Sequence, residues 1–290
     1  MADEKSHFQK QQGVSKDASR MVTVNGVRLA YEIHGIGEIP LVLAHGAFES
    51  RRTWDRVVPH LADSLRVLTY DQRGYGQSER ASGQVGILEH VADLAALIEH
   101  LGLSPAWAVG QSSGANIVLR LAGERPDLLR GIIAHEPSGL NLLADDPVTA
   151  PMLEHFPQLI AEVTERIKSG DHAGAAKQFV EEGLGKGTWA NFPPWFIQDV
   201  IENTPPSLDT LNDPEDSVFD PEWLRGFTRP VLLTFGDQTA PVFPLTITKI
   251  AEALPSVEVQ KITGAGHPVQ AQQPEEFAKA INAFVLRHTK

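Results

Sequence analysis

Residues 106–115 read Ala106-Trp107-Ala108-Val109-Gly110-Gln111-Ser112-Ser113-Gly114-Ala115. The opening residues form an apolar run of strand length. Beyond the turn, Ala115, Ile117, Val118, Leu121 and Ala122 recur at helical spacing. Gly110 to Gly114 is therefore a G-x-S-x-G pattern set between a strand and a helix. A turn that sharp holds its middle residue in a strained backbone conformation and presses the residues two before and two after against each other, so both must lack a side chain. The hydroxyl of Ser112 is then expected to project from the sheet edge at a helix N-terminus, where unpaired backbone N–H groups favour developing negative charge.

The same alternation extends outward. Upstream, Val22 and Val24 lead through Asn25-Gly26 into Val27, Leu29 and Tyr31, the pattern of a β-hairpin. Pro40 to Ala44 and Leu65 to Tyr70 are continuous apolar runs, as in strands buried on both faces. Trp54, Val57, Val58 and Leu61 repeat at helical spacing between them, and Ile87, Val91, Leu94, Ile98 and Leu101 mark a helix stopped by Gly102. Downstream, strands are expected at 129–135, 230–235 and 257–262, and a last helix starting near Pro274. Between residues 140 and 229 buried strands stop, and helical segments at 153–167 and 173–182 mix with Pro- and Trp-containing loops. The expected architecture is an α/β doubly wound, mostly parallel sheet, with core residues 21–139 and 230–290, a helical cap inserted at 140–229, and a mobile tail at 1–20. Ligands in such sheets bind beyond the carboxyl ends of the strands. His45, Asp71, Ser112, Glu136, Asp237 and His267 all follow a strand end, which argues for one shared site.

Composition narrows the function. The chain has 290 residues, 42% hydrophobic and 21% charged, as expected for one large globular domain with an insertion. A net charge of −12 gives no basic footprint for nucleic acid or an anionic membrane. No cysteine is present, so disulfides and thiolate metal sites are excluded. No apolar run reaches transmembrane length, and the polar N-terminus lacks the apolar stretch of a signal peptide. A cytoplasmic enzyme acting on a small molecule, as a monomer or homo-oligomer, is expected, with no metal and no cofactor.

Taken together, His45-Gly46 after the third strand, Asp71-x-Arg73-Gly74-x-Gly76-x-Ser78, the Ser112 turn and Gly264-x-Gly266-His267 after the last strand resemble the α/β-hydrolase family over residues 21–288. The order nucleophile, acid, histidine is that of the family. The resemblance implies Ser112 as nucleophile and His267 as the base that activates it and later protonates the leaving group. Backbone N–H groups of Ser113 and Ala47, with Phe48 as a near alternative, are the implied oxyanion hole. Two carboxylates compete for the acid. The position usual in the family is Thr239, which cannot serve; Asp237 stands two residues earlier. Glu136, after the strand that follows the nucleophile helix, is where some haloalkane dehalogenases and zearalenone-opening lactone hydrolases carry theirs. Gly110-x-Ser112-x-Gly114-Ala115 and His135-Glu136 are locally similar to the latter, so Glu136 is preferred and Asp237 is the alternative. Asp71, Arg73 and His45 are read as loop supports.

A serine nucleophile differs from the aspartate of haloalkane dehalogenases and epoxide hydrolases, and the only tyrosines, Tyr31, Tyr70 and Tyr75, lie outside the insertion. What remains is attack on a carbonyl. The aromatic residues of the insertion suggest an apolar pocket over Ser112, with Phe48, Trp189, Trp195 and Trp223 as the substrate-binding residues. The expected function is hydrolysis of a carboxylic ester or lactone of a hydrophobic or aromatic small molecule through an acyl-enzyme. The alternatives are a C–C bond hydrolase or cofactor-free haloperoxidase-like enzyme, and a non-catalytic ligand-binding protein.

Overall fold

Asn25 and Gly26 both take positive φ, 46° and 74°, and close strand β1 (Arg20–Val24) onto β2 (Val27–His34). Two such residues in succession make a turn whose twist matches that of the flanking strands. The computed structural model describes residues 19–80, 83–254 and 256–289. The expected tail lies outside the described residues except for Ser19 and Arg20, and Arg20 already pairs with Tyr31 in the hairpin.

From the hairpin the chain runs through β3 (Ile39–Ala44), β4 (Leu65–Tyr70), helix α1 (Ile87–His100), β5 (Ala106–Gln111), α2 (Ser113–Glu124) and β6 (Leu129–His135). After a helical stretch come β7 (Val231–Gly236), α7 (Val242–Ala253), β8 (Glu258–Ile262), the short α8 (Val269–Gln272) and α9 (Pro274–His288). The eight strands form one sheet in the order β1-β2-β4-β3-β5-β6-β7-β8. Only β1–β2 and β2–β4 pair antiparallel; the other neighbours are parallel. The central strands are buried on both faces, which is why they read as unbroken apolar runs.

Each face carries its own core. On one, Leu94 and Ile98 of α1, Val118 and Leu121 of α2 and Ile247 of α7 pack on Val42, Ala108 and Ile132. On the other, Phe277, Ile281 and Phe284 of α9 pack with Trp54, Leu61, Leu41 and Val109. The helix expected around Trp54 to Leu61 is replaced by two 3-10 turns, Arg51–Trp54 and Val58–His60. Pro59 lacks the N–H that a continuous helix would need there, and the four apolar side chains reach the core regardless. Gly102 ends α1's connection with φ +63°.

Between β6 and β7 lie α3 (Ala150–Lys168), α4 (His172–Phe179), α5 (Pro194–Glu202) and α6 (Thr204–Leu211). The second helix stops three residues before its expected end and widens into a π turn at Val180–Leu184. Leu159, Val163, Ala176, Phe192 and Phe196 form a third core here, with Phe48 contributed from the sheet side. Residues 219–227 leave that core: Phe219, Leu224 and Phe227 pack on the α1–α2 face of the sheet. Among the described residues no helix is long and apolar enough to cross a membrane.

Candidate active site

Ser112 has φ 56° and ψ −126°, a conformation that L-residues rarely adopt and that costs about 1–3 kcal/mol. The two glycines permit it. A Cβ on Gly110 would sit 2.1 Å from the Gly114 carbonyl oxygen, and one on Gly114 would sit 2.3 Å from that of Ala44. The Ser112 N–H donates to the His135 carbonyl at 3.0 Å, fixing the turn to the next strand end. Gln111 Nε2 donates to the His267 carbonyl at 3.2 Å. Thus the loops after β5, β6 and β8 are tied together before any side chain of the site is considered.

His267 Nδ1 lies 2.7 Å from Glu136 Oε2. Glu136 is fully buried at the end of β6 and is itself in a left-handed conformation, φ 45°. Its Oε1 accepts from the Gly236 N–H at 2.8 Å, and its Oε2 also accepts from Thr239 Oγ1 at 2.9 Å. Burial pushes the Glu136 pKa up, but the His135 ring, the His267 hydrogen bond and the Gly236 N–H outweigh it and hold the carboxyl below its ordinary range. Phe243 stacks on His267 with centroids 4.2 Å apart, fixing the ring plane. Asp237 is elsewhere: it is exposed, and its Oδ1 accepts from the Gly264 N–H at 2.7 Å, which braces the turn before His267. The structure therefore brings Glu136, not Asp237, to the histidine. Thr239, at the position where the family usually has its acid, is a hydrogen-bond donor to that carboxylate.

The loop after β3 faces Ser112. A Cβ on Gly46 would stand 3.1 Å from Ser112 Cβ. Neither Ala47 N–H nor Ser113 N–H has a protein partner among the described residues. Phe48 N–H is engaged: it donates to Ser207 Oγ at 2.8 Å, and Phe48 has φ 63°. Ser50 is likewise held, its N–H and Oγ donating to Asp199 at 3.0 and 2.6 Å. His45 is fully buried and lies 2.8 Å, through Nδ1, from the Gly46 carbonyl, while Nε2 accepts from the Gln72 N–H at 3.1 Å. Burial lowers its pKa to about 4, so it is a neutral brace. Asp71 accepts from the N–H groups of Arg51 and Gln77 at 2.7 and 2.8 Å and pairs with the Arg51 guanidinium. Arg73 forms a two-pronged pair with Asp93. His135 is buried beneath Glu136, its Nδ1 3.0 Å from Thr234 Oγ1.

Ser112, Ser113, Ala47, Phe48 and His267 border one cavity of about 140 Å³. Its opposite wall is Met152, Phe156, Phe179, Phe192, Phe196 and Val200. Of the four expected substrate-binding residues only Phe48 borders it, stacked on Phe179 at 4.7 Å. The other three need correction. Trp189 and Trp195 pack at the margin of the third core, against Phe192 and Phe196, and Arg56 sits 5.0 Å from the Trp195 ring centroid. Trp223 lies on α2, where Arg120 stacks 3.7 Å from its ring centroid. Large aromatic side chains also fill cores, and here the packing of the helices on each other claimed the tryptophans and left phenylalanines for the cavity. Sequence reasoning also missed Glu49, Asp213 and Asp216 in the cavity wall. Glu49, two residues after Ala47 in the Ser112-facing loop, had a positional signal; the two aspartates had none.

This sheet and this site define an α/β-hydrolase. Residues 39–274 match the family described as alpha/beta hydrolase fold, so the chain belongs to it and is an enzyme of that family. Among its relatives, the putative non-heme bromoperoxidase BpoC of Mycobacterium tuberculosis is 30% identical over 90% of this chain and 97% of its own length. The sn-1-specific diacylglycerol lipase ABHD11 of Mus musculus is 25% identical over 84% of this chain and 80% of its own. A thermophilic esterase from Thermogutta terrifontis superposes with a TM-score of 0.78 at 23% identity, covering 94% of this chain and 100% of the esterase.

Proposed function

We propose that the protein is a serine hydrolase that cleaves a carboxylic ester or lactone of a hydrophobic or aromatic small molecule. The observation that carries this reading is a strained Ser112 and a histidine, His267, on one cavity, with the histidine's far nitrogen bonded to a buried carboxylate. In this reading Ser112 Oγ attacks the acyl carbon as His267 Nε2 takes its proton. Glu136 holds the ring in the tautomer with Nδ1–H and stabilises the imidazolium. The N–H groups of Ala47 and Ser113 receive the oxyanion; Phe48 N–H, spent on Ser207, does not. His267 then protonates the leaving oxygen, and water, deprotonated by the same ring, releases the acid.

The helical insertion at 140–229 acts as a cap, and those of its phenylalanines that border the cavity select apolar substrates. The lactone half of the reading rests on the local sequence likeness around Ser112 and Glu136. The reading takes a small molecule as the only partner, with no cofactor, nucleic acid or membrane, in a cytoplasmic monomer or homo-oligomer. The test is hydrolysis of p-nitrophenyl esters and aromatic lactones by the wild type and Ser112→Ala, with a fluorophosphonate probe located by peptide mass. Absence of both turnover and a Ser112 adduct sinks it. The relatedness to a putative bromoperoxidase favours one second reading, a cofactor-free haloperoxidase-like reaction. Bromination of an activated diketone in the presence of bromide, hydrogen peroxide and a carboxylic acid, lost in Ser112→Ala, would support that reading.

A further inference from the structure

We infer that Glu49 is a specificity-determining residue whose carboxyl donates a hydrogen bond to an acceptor oxygen, such as an ether or second carbonyl oxygen, in the acyl part of the substrate. The inference rests on the ester-hydrolase reading above. Glu49 borders the same cavity as Ser112, Ser113 and His267 and is only 5% exposed. It stands two residues after Ala47, on the loop that faces Ser112, so a substrate held at the serine occupies the cavity that Glu49 borders.

Its surroundings supply hydrogen-bond donors but no counter-charge. Gln270 Nε2 lies 3.0 Å from both carboxyl oxygens. Among the described residues no lysine, arginine or histidine pairs with it. The groups facing it are Asp199 from α5, the Thr53 hydroxyl, the Gly46 backbone and Gln270, with His267 on the same cavity. Burial first, and then the neighbouring Asp199, raise its pKa to about 8, against smaller opposing contributions from Thr53, Gly46 and Gln270. Below that pH the group carries an acid proton. The Gln270 amide donates to both oxygens, so the acid proton is left for another acceptor, and a substrate in the cavity that Glu49 borders would supply it. A neutral carboxyl that donates discriminates sharply, because a substrate with CH₂ in place of the acceptor leaves a buried donor unpaired.

The experiment compares p-nitrophenyl methoxyacetate with p-nitrophenyl butyrate, which differ by O against CH₂ in the acyl chain. The quantity read is the ratio of kcat/KM for the pair in wild type, Glu49→Gln and Glu49→Leu, with near-ultraviolet circular dichroism as the folding control. Normalising to Glu49→Leu removes the intrinsic reactivity difference of the esters. The wild-type ratio is expected to exceed that of Glu49→Leu by about five- to tenfold at pH 6.5. It should collapse as pH rises through about 8, where ionisation removes the donor. Glu49→Gln keeps an N–H donor, so its ratio should stay high and lose the alkaline fall. If Glu49→Leu does not fold, the pH dependence of the ratio in wild type and Glu49→Gln decides. Equal ratios in all folded variants, or a wild-type ratio flat from pH 6.5 to 9, overturn the inference while leaving the hydrolase reading intact. No turnover of either ester and no fluorophosphonate adduct at Ser112 overturn both.

Discussion

On one side of the cavity Ser112, Glu136 and His267 sit on loops bound to each other by hydrogen bonds to backbone carbonyls; on the other, Met152, Phe156, Phe179 and Phe196 are held by side-chain packing between helices. The carboxyl groups around the cavity do not behave alike. Glu136 receives an N–H, a hydroxyl and an imidazole and is held below its ordinary pKa. In the wall, burial raises Glu49 to about 8 and Asp216 to about 7, each with another acid nearby. The carboxylate beside His267 thus keeps its charge, whereas Glu49, on the loop after β3, and Asp216 lose theirs. Such a division suits an apolar substrate whose only developing charge lies at the acyl carbon.

The comparison breaks most readily at the serine. Ser112→Ala should lower kcat on p-nitrophenyl esters by a factor on the order of 10⁴–10⁶ while leaving thermal stability unchanged or raised, since a nucleophile held in strain is not there for the fold. A residual rate within about tenfold of wild type would mean that another group is attacking. Next, Glu136→Gln should cost about 10⁴ in kcat through loss of the imidazolium partner and of the correct tautomer. Asp237→Asn, whose side chain bonds only the Gly264 N–H among the described residues, should cost less than about threefold. The reverse ranking in steady-state assays would place the acid on the wrong strand.

These two sides also differ in how far the sequence revealed them. The Ser112 turn was legible because its requirement is steric: no side chain fits at Gly110 or Gly114, whatever the surroundings. The strand-end positions of His45, Asp71 and Glu136 followed from apolar runs that only a doubly covered sheet can bury, whereas β8 is mostly exposed and His267 was marked by the Gly264-x-Gly266-His267 turn. The choice between Glu136 and Asp237 was decided by loop conformation, through φ 45° at Glu136 and the engagement of Asp237 by Gly264, and neither is encoded in residue type. The wall was barely legible. Which aromatic of 140–229 meets the cavity depends on how helices pack, so Trp189, Trp195 and Trp223 could not be told from Phe179 and Phe196. The 3-10 turns at 51–60 show the same limit, since the apolar spacing that suggests a helix also serves two tight turns split by Pro59.

The suppressed charge of the wall can be tested through stability. Glu49 has a folded pKa raised above its unfolded value, so between about 4.5 and 8 the unfolded chain has released a proton that the fold retains. Its stabilising effect is complete below the unfolded value and is lost as pH rises through the folded one, at about 1.4 kcal/mol per pH unit while the fold keeps the proton. His45, His90 and His135, lowered by burial to about 4, 3 and 4, are neutral in the fold but still titrate in the unfolded chain near pH 6.5, which raises stability over the same range equally in wild type and Glu49→Gln. The urea midpoint of wild type should therefore lose ground to that of Glu49→Gln from pH 6.5 to 8. Parallel curves would mean that Glu49 is already ionised in the fold.

The smallest effect separates the cavity wall from the rest of the helical segment. Phe179 stacks on Phe48 inside the cavity, whereas Trp223 stacks on Arg120 outside it. Phe179→Ala removes apolar surface that a bound acyl or aryl group would cover, and KM for a hydrophobic ester should rise about tenfold. Trp223→Ala removes a larger ring, yet KM should change less than about twofold, with the loss appearing instead as a lower melting temperature. Size of side chain and size of kinetic effect would then run in opposite directions, which a general loosening of the segment cannot produce. If both substitutions raise KM alike, residues 219–227 and the cavity wall move as one body, and the wall is held by the sheet as firmly as the strand ends are.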